Sequence, residues 1–231
     1  MHLLIYNARA TQNFTNPPDT AHVLQRYRVA QPHRLIYNYE ELKELGVQPE
    51  FLMNLLAVFE DTSSFNPENF RQYPLPVIID YLEKTHAYYL QKKLPEIEQS
   101  IHLLLQAYPQ AHPLLLLLHS FYKEYSAHLA RHIEVEEHEL IPYILSLHNR
   151  QPLQPTLTVS RFMKEHHDTE KDLEDIRQTI LHYSPPAGSE TIYRVLLSQL
   201  ELLERDLAVH ALMEDEVLLP RALALEQSSG R

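Results

Sequence analysis

Four long stretches of the chain place apolar side chains three and four positions apart, which is the spacing of an amphipathic helix. They cover residues 76–107, 113–148, 156–182 and 189–224. The segments between them carry the helix-breaking runs AYPQAHP, LHNRQPLQP and HYSPPAGSE. Long helices joined by short connections pack antiparallel to their neighbours, so the pattern predicts an all-α, up-down-up-down four-helix bundle over residues 76–226. The alternation of apolar and polar residues that is typical of strands is missing.

The first 75 residues follow a different pattern, because six of the sixteen prolines interrupt them. Two short runs, YEELKELGV and PEFLMNLLAVFED, predict short helices. The second has Pro49 near its start, where proline is tolerated. We therefore predict a small helical appendage over residues 1–75, followed by the bundle.

The composition limits the possible chemistry. A chain of 231 residues with 44% hydrophobic content can bury one large core. Because cysteine is absent, disulfides, thiolate metal sites and cysteine nucleophiles are excluded. The net charge of −11 argues against nucleic-acid and acidic-membrane partners. The longest purely apolar run, residues 114–118, is far shorter than the roughly 20 residues of a membrane span. We expect a soluble, cytoplasmic protein.

One motif occurs twice in the chain, as HIEVEEHELIP over residues 132–142 and as HALMEDEVLLP over residues 210–220. Both copies have a His, a Glu four residues later, an adjacent acidic residue, and then Leu, an apolar residue and Pro. Residues four apart share one face of a helix, so each His and Glu form a pair that can grip a metal ion. A single pair is common on solvent-exposed acidic helices, but a second copy with the same tail favours metal binding.

The positions of the histidines relative to the predicted bends support the same interpretation. In an antiparallel hairpin, residues equally far from the bend lie at the same level. The midpoints of His86 and His132, of His132 and His166, and of His166 and His210 are residues 109, 149 and 188, each inside a predicted connection. The predicted metal ligands are His86, His132, Glu136, His166, His210 and Glu214.

Other candidates fit this level less well. Tyr108 and His119 lie too near the first bend to share a metal with the predicted layer. His128 is one turn from His132 and is interpreted as a surface or supporting residue. The side chain of His167 points in a different direction from that of His166, and Glu170 lacks the Leu-apolar-Pro tail. Both are therefore weaker candidates for the metal site.

Four imidazoles and two carboxylates are a nitrogen and oxygen donor set suited to iron, with manganese or zinc as alternatives. Two ions fit this set better than one. If both glutamates bridge and each ion takes two histidines, a bridging oxide or hydroxide still leaves room for oxygen, peroxide or nitric oxide. A ferritin-like site would need Glu-x-x-His on two helices, and only Glu83 and His86 match that spacing.

Four segments resemble the haemerythrin-like di-iron domain of the iron–sulfur-cluster-repair (RIC) proteins. They are IIDYLEKTHAYYLQKKLPEIE, HLARHIEVEEHELIP, FMKEHHDTEKDLEDIR and VHALMEDEVLLPRAL, and the resemblance spans roughly residues 75–224. By position it implies the same six iron ligands. It also implies a role in defence against nitric oxide and peroxide, and in restoring damaged iron–sulfur clusters.

The chain departs from that family in two places, and it also differs from the oxygen-carrying haemerythrins. The family's usual N-terminal module carries paired cysteines, which are absent here. Tyr108 stands where many relatives have a further histidine. Oxygen-carrying haemerythrins use an additional histidine on the third helix, where this chain has Phe162 or Glu170, which tells against an oxygen carrier.

These observations predict a non-haem di-iron protein of the nitrosative and oxidative stress response. It would donate iron to proteins with damaged iron–sulfur clusters or react with nitric oxide or peroxide, and whether it is an enzyme is left open. The alternative is a haemerythrin-like oxygen or redox sensor whose first 75 residues pass a signal to a partner. A bundle without a functional metal is disfavoured by the match in level of four histidines.

Overall fold

The structure is a computed structural model, and most of the residues that it describes are helical. It describes residues 13–15, 21–27, 36–44, 46, 48–107, 113–151, 157–165 and 190–229. The predicted ligand His166 and the weaker candidates His167 and Glu170 lie outside this part of the chain, as does Tyr108.

The described residues of the N-terminal part form four short helices, a 3₁₀ turn and one pair of short strands. The helices are α1 (Ala21–Arg26), α2 (Tyr39–Glu44), α3 (Pro49–Glu60) and α4 (Glu68–Arg71), and the turn is Thr62–Ser64. Strands β1 (Asn13–Thr15) and β2 (Ile36–Asn38) pair antiparallel, with Phe14 opposite Tyr37. The two runs predicted as helices are α2 and α3. Strands of three residues are too short to show an alternating pattern, so the sequence did not predict them.

Three long helices and one short helix follow among the residues that the structure describes. Helix α5 consists of the consecutive segments Leu75–Tyr88, Tyr89–Lys93 and Leu94–Gln106. Helix α6 consists of Pro113–Val135, Glu136–Leu140 and Ile141–His148, and helix α7 covers Val159–Glu165. Helix α8 consists of Glu190–Met213, Glu214–Leu218 and Leu219–Ser229. The boundaries of α5, α6 and the start of α8 lie within one residue of those predicted. In the described part of the chain, no helix is both long and apolar enough to cross a membrane.

Each of the three long helices widens into a π-turn directly before a proline. In α6 the N–H of Ile141 donates to the carbonyl of Glu136, five residues back, and in α8 Leu219 donates to Glu214 in the same way. The ring of a proline clashes with the carbonyl four residues before it, and a wider turn relieves this clash without ending the helix. The Pro of the repeated motif therefore explains why a π-turn begins at its Glu.

The proline of α8 also leaves the carbonyl of Glu216 available for a long-range contact. Proline cannot donate to the carbonyl of Glu216, four residues before Pro220, and Arg71 donates to this carbonyl instead over 3.0 Å. Arg221, next to that proline, donates to the carbonyl of Tyr73 over 2.8 Å. These two bonds attach the segment around α4 to the last long helix.

Helix α5 runs antiparallel to both α6 and α8. The contacts that fix these directions are Leu94–Tyr122 and His86–Glu136 between α5 and α6, and Ser100–Gln199 and Tyr89–Asp206 between α5 and α8. These directions agree with the predicted bundle. The complete up-down-up-down topology stays a prediction, because residues 166–189 lie outside the described part.

The buried apolar side chains form two separate clusters. One joins the N-terminal helices to one end of the bundle and includes Leu24, Phe51 and Ile79. The other fills the opposite end of the long helices and includes Ile97 and Leu200. The polar residues of the repeated motif in α6 and α8, together with His86 of α5, lie between the two clusters. The domain boundary at residue 75 stays a prediction.

Glu226 of α8 attaches the start of α7. Its two carboxylate oxygens accept the backbone N–H groups of Val159 and Ser160 over 2.9 and 3.2 Å. Burial raises the pKa of Glu226, but the hydrogen bonds from Ser160 and Val159 outweigh it, so the pKa lies below its usual value. The carboxylate is therefore stabilised in its charged form by the folded state.

We expect Glu226→Ala to lower the free energy of unfolding by about 1 kcal/mol, the usual effect of losing a helix-capping acceptor. Because the folded-state pKa is depressed, this contribution is present above the unfolded pKa of about 4.3 and is lost as the pH falls through the lower folded pKa. Urea unfolding at several pH values measures it. Glu124→Ala, at an exposed position of α6, is the matched control. An equal loss in both variants, or a loss that persists in acid, would contradict the capping role.

Candidate metal centre

Five of the six predicted ligands meet in one buried layer between α5, α6 and α8. They are His86, His132, Glu136, His210 and Glu214. The Nε2 atom of His86 lies 2.8 Å from Nε2 of His210 and 3.1 Å from Oε2 of Glu136. The Nε2 atom of His132 lies 2.8 Å from Oε1 of Glu136. Residues far apart in the sequence therefore direct their donor atoms at the same point.

The donor atoms fall into two groups that share one carboxylate. The first group contains His86, Glu136 and His210, and the second contains His132, Glu136 and Glu214. Each oxygen of Glu136 faces a different group, as a carboxylate that bridges two ions does. Glu214 lies in the second group, with Oε2 4.0 Å from Nδ1 of His210. Of the two glutamates that the sequence predicted to bridge, Glu136 is the one common to both groups of donor atoms, and bridging by Glu214 stays a prediction.

The spacing of the donor atoms suits a coordinated ion. Two ligand atoms held about 2.1 Å from one ion at a right angle lie about 3 Å apart. The separations of 2.8 and 3.1 Å around His86 match that value. Two imidazole nitrogens facing each other at 2.8 Å also need a proton or a cation between them.

The environment of Glu136 requires a positive charge. Its side chain is 2% exposed, and its two oxygens face the imidazoles of His86 and His132. A buried carboxylate is strongly unfavourable unless a cation, either a protonated imidazole or a metal ion, lies beside it. The layer therefore fits a metal ion by burial and charge as well as by distance.

The pKa values describe how protons balance the charges of this layer. Burial lowers the pKa of His86, but its bonds to Glu136 and Glu137 outweigh this effect and raise the pKa to about 9. Burial raises the pKa of Glu136, and the bonds from His132 and His86 reverse this, so the net value is well below the usual range. Burial and the charge of Glu136 raise the pKa of Glu214, while burial and His86 lower that of His210 to about 3.

Two neighbours orient the ligands, and the sequence assigned neither of them a role in the site. Oε1 of Glu137 lies 3.2 Å from Nδ1 of His86, which directs the opposite nitrogen at the centre. Such carboxylate partners hold a ligand imidazole in one orientation. The ring of Phe162 stacks on His132 with 6.1 Å between centroids. Glu137 is the acidic position that follows Glu in the repeated motif, and this position was the signal for its role.

A second polar cluster links the N-terminal segment to the same layer. Asp206 lies one turn before His210 and is 2% exposed. It accepts a hydrogen bond from the Tyr89 hydroxyl over 2.8 Å and forms a buried ion pair with Arg26 of α1. The ring of Tyr89 is 6.0 Å from that of His210. The four-residue spacing of Asp206 and His210 was visible in the sequence, but the partner Arg26 was not.

The remaining candidates lie elsewhere. His128 is half-buried, and His119 belongs to a separate group near the first connection. The assignment of His166 stays a prediction, since the described part of α7 ends at Glu165.

Several relatives of this chain are named iron-sulfur cluster repair proteins. The iron-sulfur cluster repair protein ScdA of Staphylococcus haemolyticus is 21% identical over 180 residues, which span 78% of this chain and 81% of that protein. The iron-sulfur cluster repair protein YtfE of Citrobacter koseri is 28% identical over 165 residues, or 69% of this chain and 71% of that protein. YtfE of Escherichia coli O1:K1 matches to the same extent.

The family comparison covers the three long helices and the layer between them. The family described as Hemerythrin HHE cation binding domain matches residues 78–222, which is more than half of the chain. This range contains all six predicted ligands. A domain of this kind implies non-haem iron binding, and the His and Glu groups of the layer can hold a metal. The chain therefore belongs to the haemerythrin HHE cation-binding family.

Proposed function

We propose that this protein holds two iron ions and uses them in the repair of damaged iron–sulfur clusters under nitrosative or oxidative stress. The proposed ligands are the five residues of the buried layer together with His166. The observation that carries the proposal is the carboxylate of Glu136, which is shared by two groups of donor atoms. The relatives named as iron–sulfur cluster repair proteins support the process in which the ions would act.

The protein side chains have distinct parts in this function. When bound, the iron ions supply redox chemistry and a store of iron that another protein can receive. Glu137 holds the orientation of His86, and Glu136 joins the two groups. Phe162 covers one side of His132 with an apolar ring and limits the access of water. His132 is the most exposed of the five, with 16% of its side chain accessible. We infer that small ligands and iron exchange beside the exposed part of His132, away from Phe162.

Repair is favoured over oxygen carriage by the residue next to His132. Oxygen-carrying haemerythrins resemble this fold but use an additional histidine on the third helix. The corresponding residue here is Phe162, which lies against His132 and cannot ligate a metal, or Glu170. An ion on this side would have fewer histidine ligands than in an oxygen carrier, which suits reaction and release better than reversible binding.

A sensor is the second candidate, and one observation favours it. Arg26 of α1 forms an ion pair with Asp206, one turn from His210. A change at the metal layer would therefore be felt by the N-terminal segment. In that case reversible oxygen binding or oxidation would change the hydrogen exchange of α1 without any repair activity.

A repair assay tests the proposal. A dehydratase with a peroxide-damaged [4Fe–4S] cluster is incubated with the iron-loaded protein, and its activity and cluster absorbance are followed. We expect recovery that exceeds the recovery with the same amount of free ferrous iron. We also expect iron-reconstituted Glu136→Ala protein to do no better than free iron, because the shared carboxylate is missing. If the unchanged protein restores no more dehydratase activity than free ferrous iron does, the repair function is refuted.

A further inference from the structure

Three potential metal ligands lie together near the connected ends of α5 and α6, away from the candidate centre. Glu98 and His102 are four residues apart on α5 and share one face of the helix. His119 of α6 faces them. Neither the repeated motif nor the family comparison assigns these residues a role.

The geometry of the three side chains fits a single cation. The ring centroids of His102 and His119 are 4.7 Å apart, and Nε2 of His119 lies 3.9 Å from Oε1 of Glu98. One donor atom from each residue lies within 4.8 Å of the others. These distances are longer than those in a filled coordination sphere, and rotation of the half-buried Glu98 and exposed His102 side chains can close them.

The burial of the Nε2 nitrogen of His119 also favours a cation at this cluster. Its Nε2 atom is shielded from solvent, and no described residue forms a hydrogen bond with it. Buried polar atoms almost always have a partner, which can be protein, water or an ion. This nitrogen faces another imidazole and a carboxylate, so a cation would satisfy all three.

The cluster is independent of the centre. At 1.5 Å per residue, Glu98 lies about 18 Å along α5 from His86, and His119 lies about 20 Å along α6 from His132. No ion can be shared over such a distance.

We propose that Glu98, His102 and His119 bind one divalent cation of the zinc, nickel or copper type in exchange with solvent. Two imidazoles and one carboxylate are donors that these metals favour, and three protein ligands leave a position for water. A bound ion joins α5 to α6 beside their connection. The site does not depend on the proposed repair function.

A zinc titration tests the site on the full chain with its resident metals. Zinc is added in competition with a chromophoric chelator, and bound zinc and retained iron are measured for each variant. The variant carries His102→Gln and His119→Gln together. His148→Gln, which changes an exposed histidine at the other end of α6, is the control.

We expect one additional zinc per chain in the unchanged protein and in the control, with the iron content constant. The double variant should bind this zinc at least about tenfold more weakly, since even the loss of a residue that only supports a ligand has an effect of that size. No additional zinc, equal binding in the double variant, or zinc uptake only as iron leaves would each overturn the proposal. A repair assay that fails while this zinc binds would leave the site standing.

Discussion

Replacing Glu136 with alanine is expected to reduce the iron content of the purified protein from about two ions per chain to almost none. The carboxylate of Glu136 belongs to both groups of donor atoms, so its loss removes a ligand from each. Its side chain is 2% exposed, and water cannot easily take its place. Metal analysis of protein expressed with ample iron and purified without chelators measures the effect.

Two neighbouring carboxylates provide matched comparisons for this result. Glu214 belongs to the second group only, so Glu214→Ala should retain about one ion per chain if Glu214 does not bridge, whereas the loss of both ions would show that it does. Glu137 contacts His86 but belongs to neither group, so Glu137→Ala should retain both ions with affinity weakened by about 10- to 100-fold. Two outcomes would contradict the proposal that two iron ions share Glu136. In one, the Glu136→Ala protein keeps one tightly bound ion; in the other, the unchanged protein carries one zinc and no iron.

Replacing Arg26 with methionine should destabilise the protein by about 3 to 5 kcal/mol, because it leaves the buried charge of Asp206 without its guanidinium partner and with only the His22 imidazole beside it. The side chains of Arg26 and Asp206 are 0% and 2% exposed. Arg26 also donates to Thr85 over 2.9 Å and lies 4.8 Å from the centre of the Tyr88 ring. For a chain of this size we expect the Tm to fall by roughly 6 to 20 °C in differential scanning calorimetry.

The double variant Arg26→Met with Asp206→Leu separates a lost contact from an uncompensated charge. Burial alone raises the pKa of Asp206, and the charge of Arg26 holds it well below its usual value. With both charges removed, most of the stability should return. Lys84→Met, which breaks the half-exposed pair with Asp80, should change stability by about 1 kcal/mol or less. A single Arg26 variant as stable as the Lys84 variant would mean that this pair does not hold α1 to the bundle.

The proximity of the candidate ligands on α6 and α8 was predictable because each His and Glu are four residues apart, and the helix itself brings them together. The equal distances from the bends placed His86 at the same level, and the structure brings it within 3.1 Å of Glu136. Local spacing and chain reversal were sufficient to predict that these five side chains lie together, and their role as metal ligands stays a prediction. For His166 the same reasoning remains a prediction.

The sequence by itself determined the helical pattern, the prolines within the long helices and the residues that can bind metal, because these depend on periodicity and local chemistry. Only the tertiary structure decided that Glu136 is shared by both groups, since this depends on how α5, α6 and α8 are rotated about their axes. It also decided that Glu137 orients His86 and that Phe162 covers His132. The pairing of Arg26 with Asp206 joins residues 180 positions apart, and no local pattern encodes a contact across that distance.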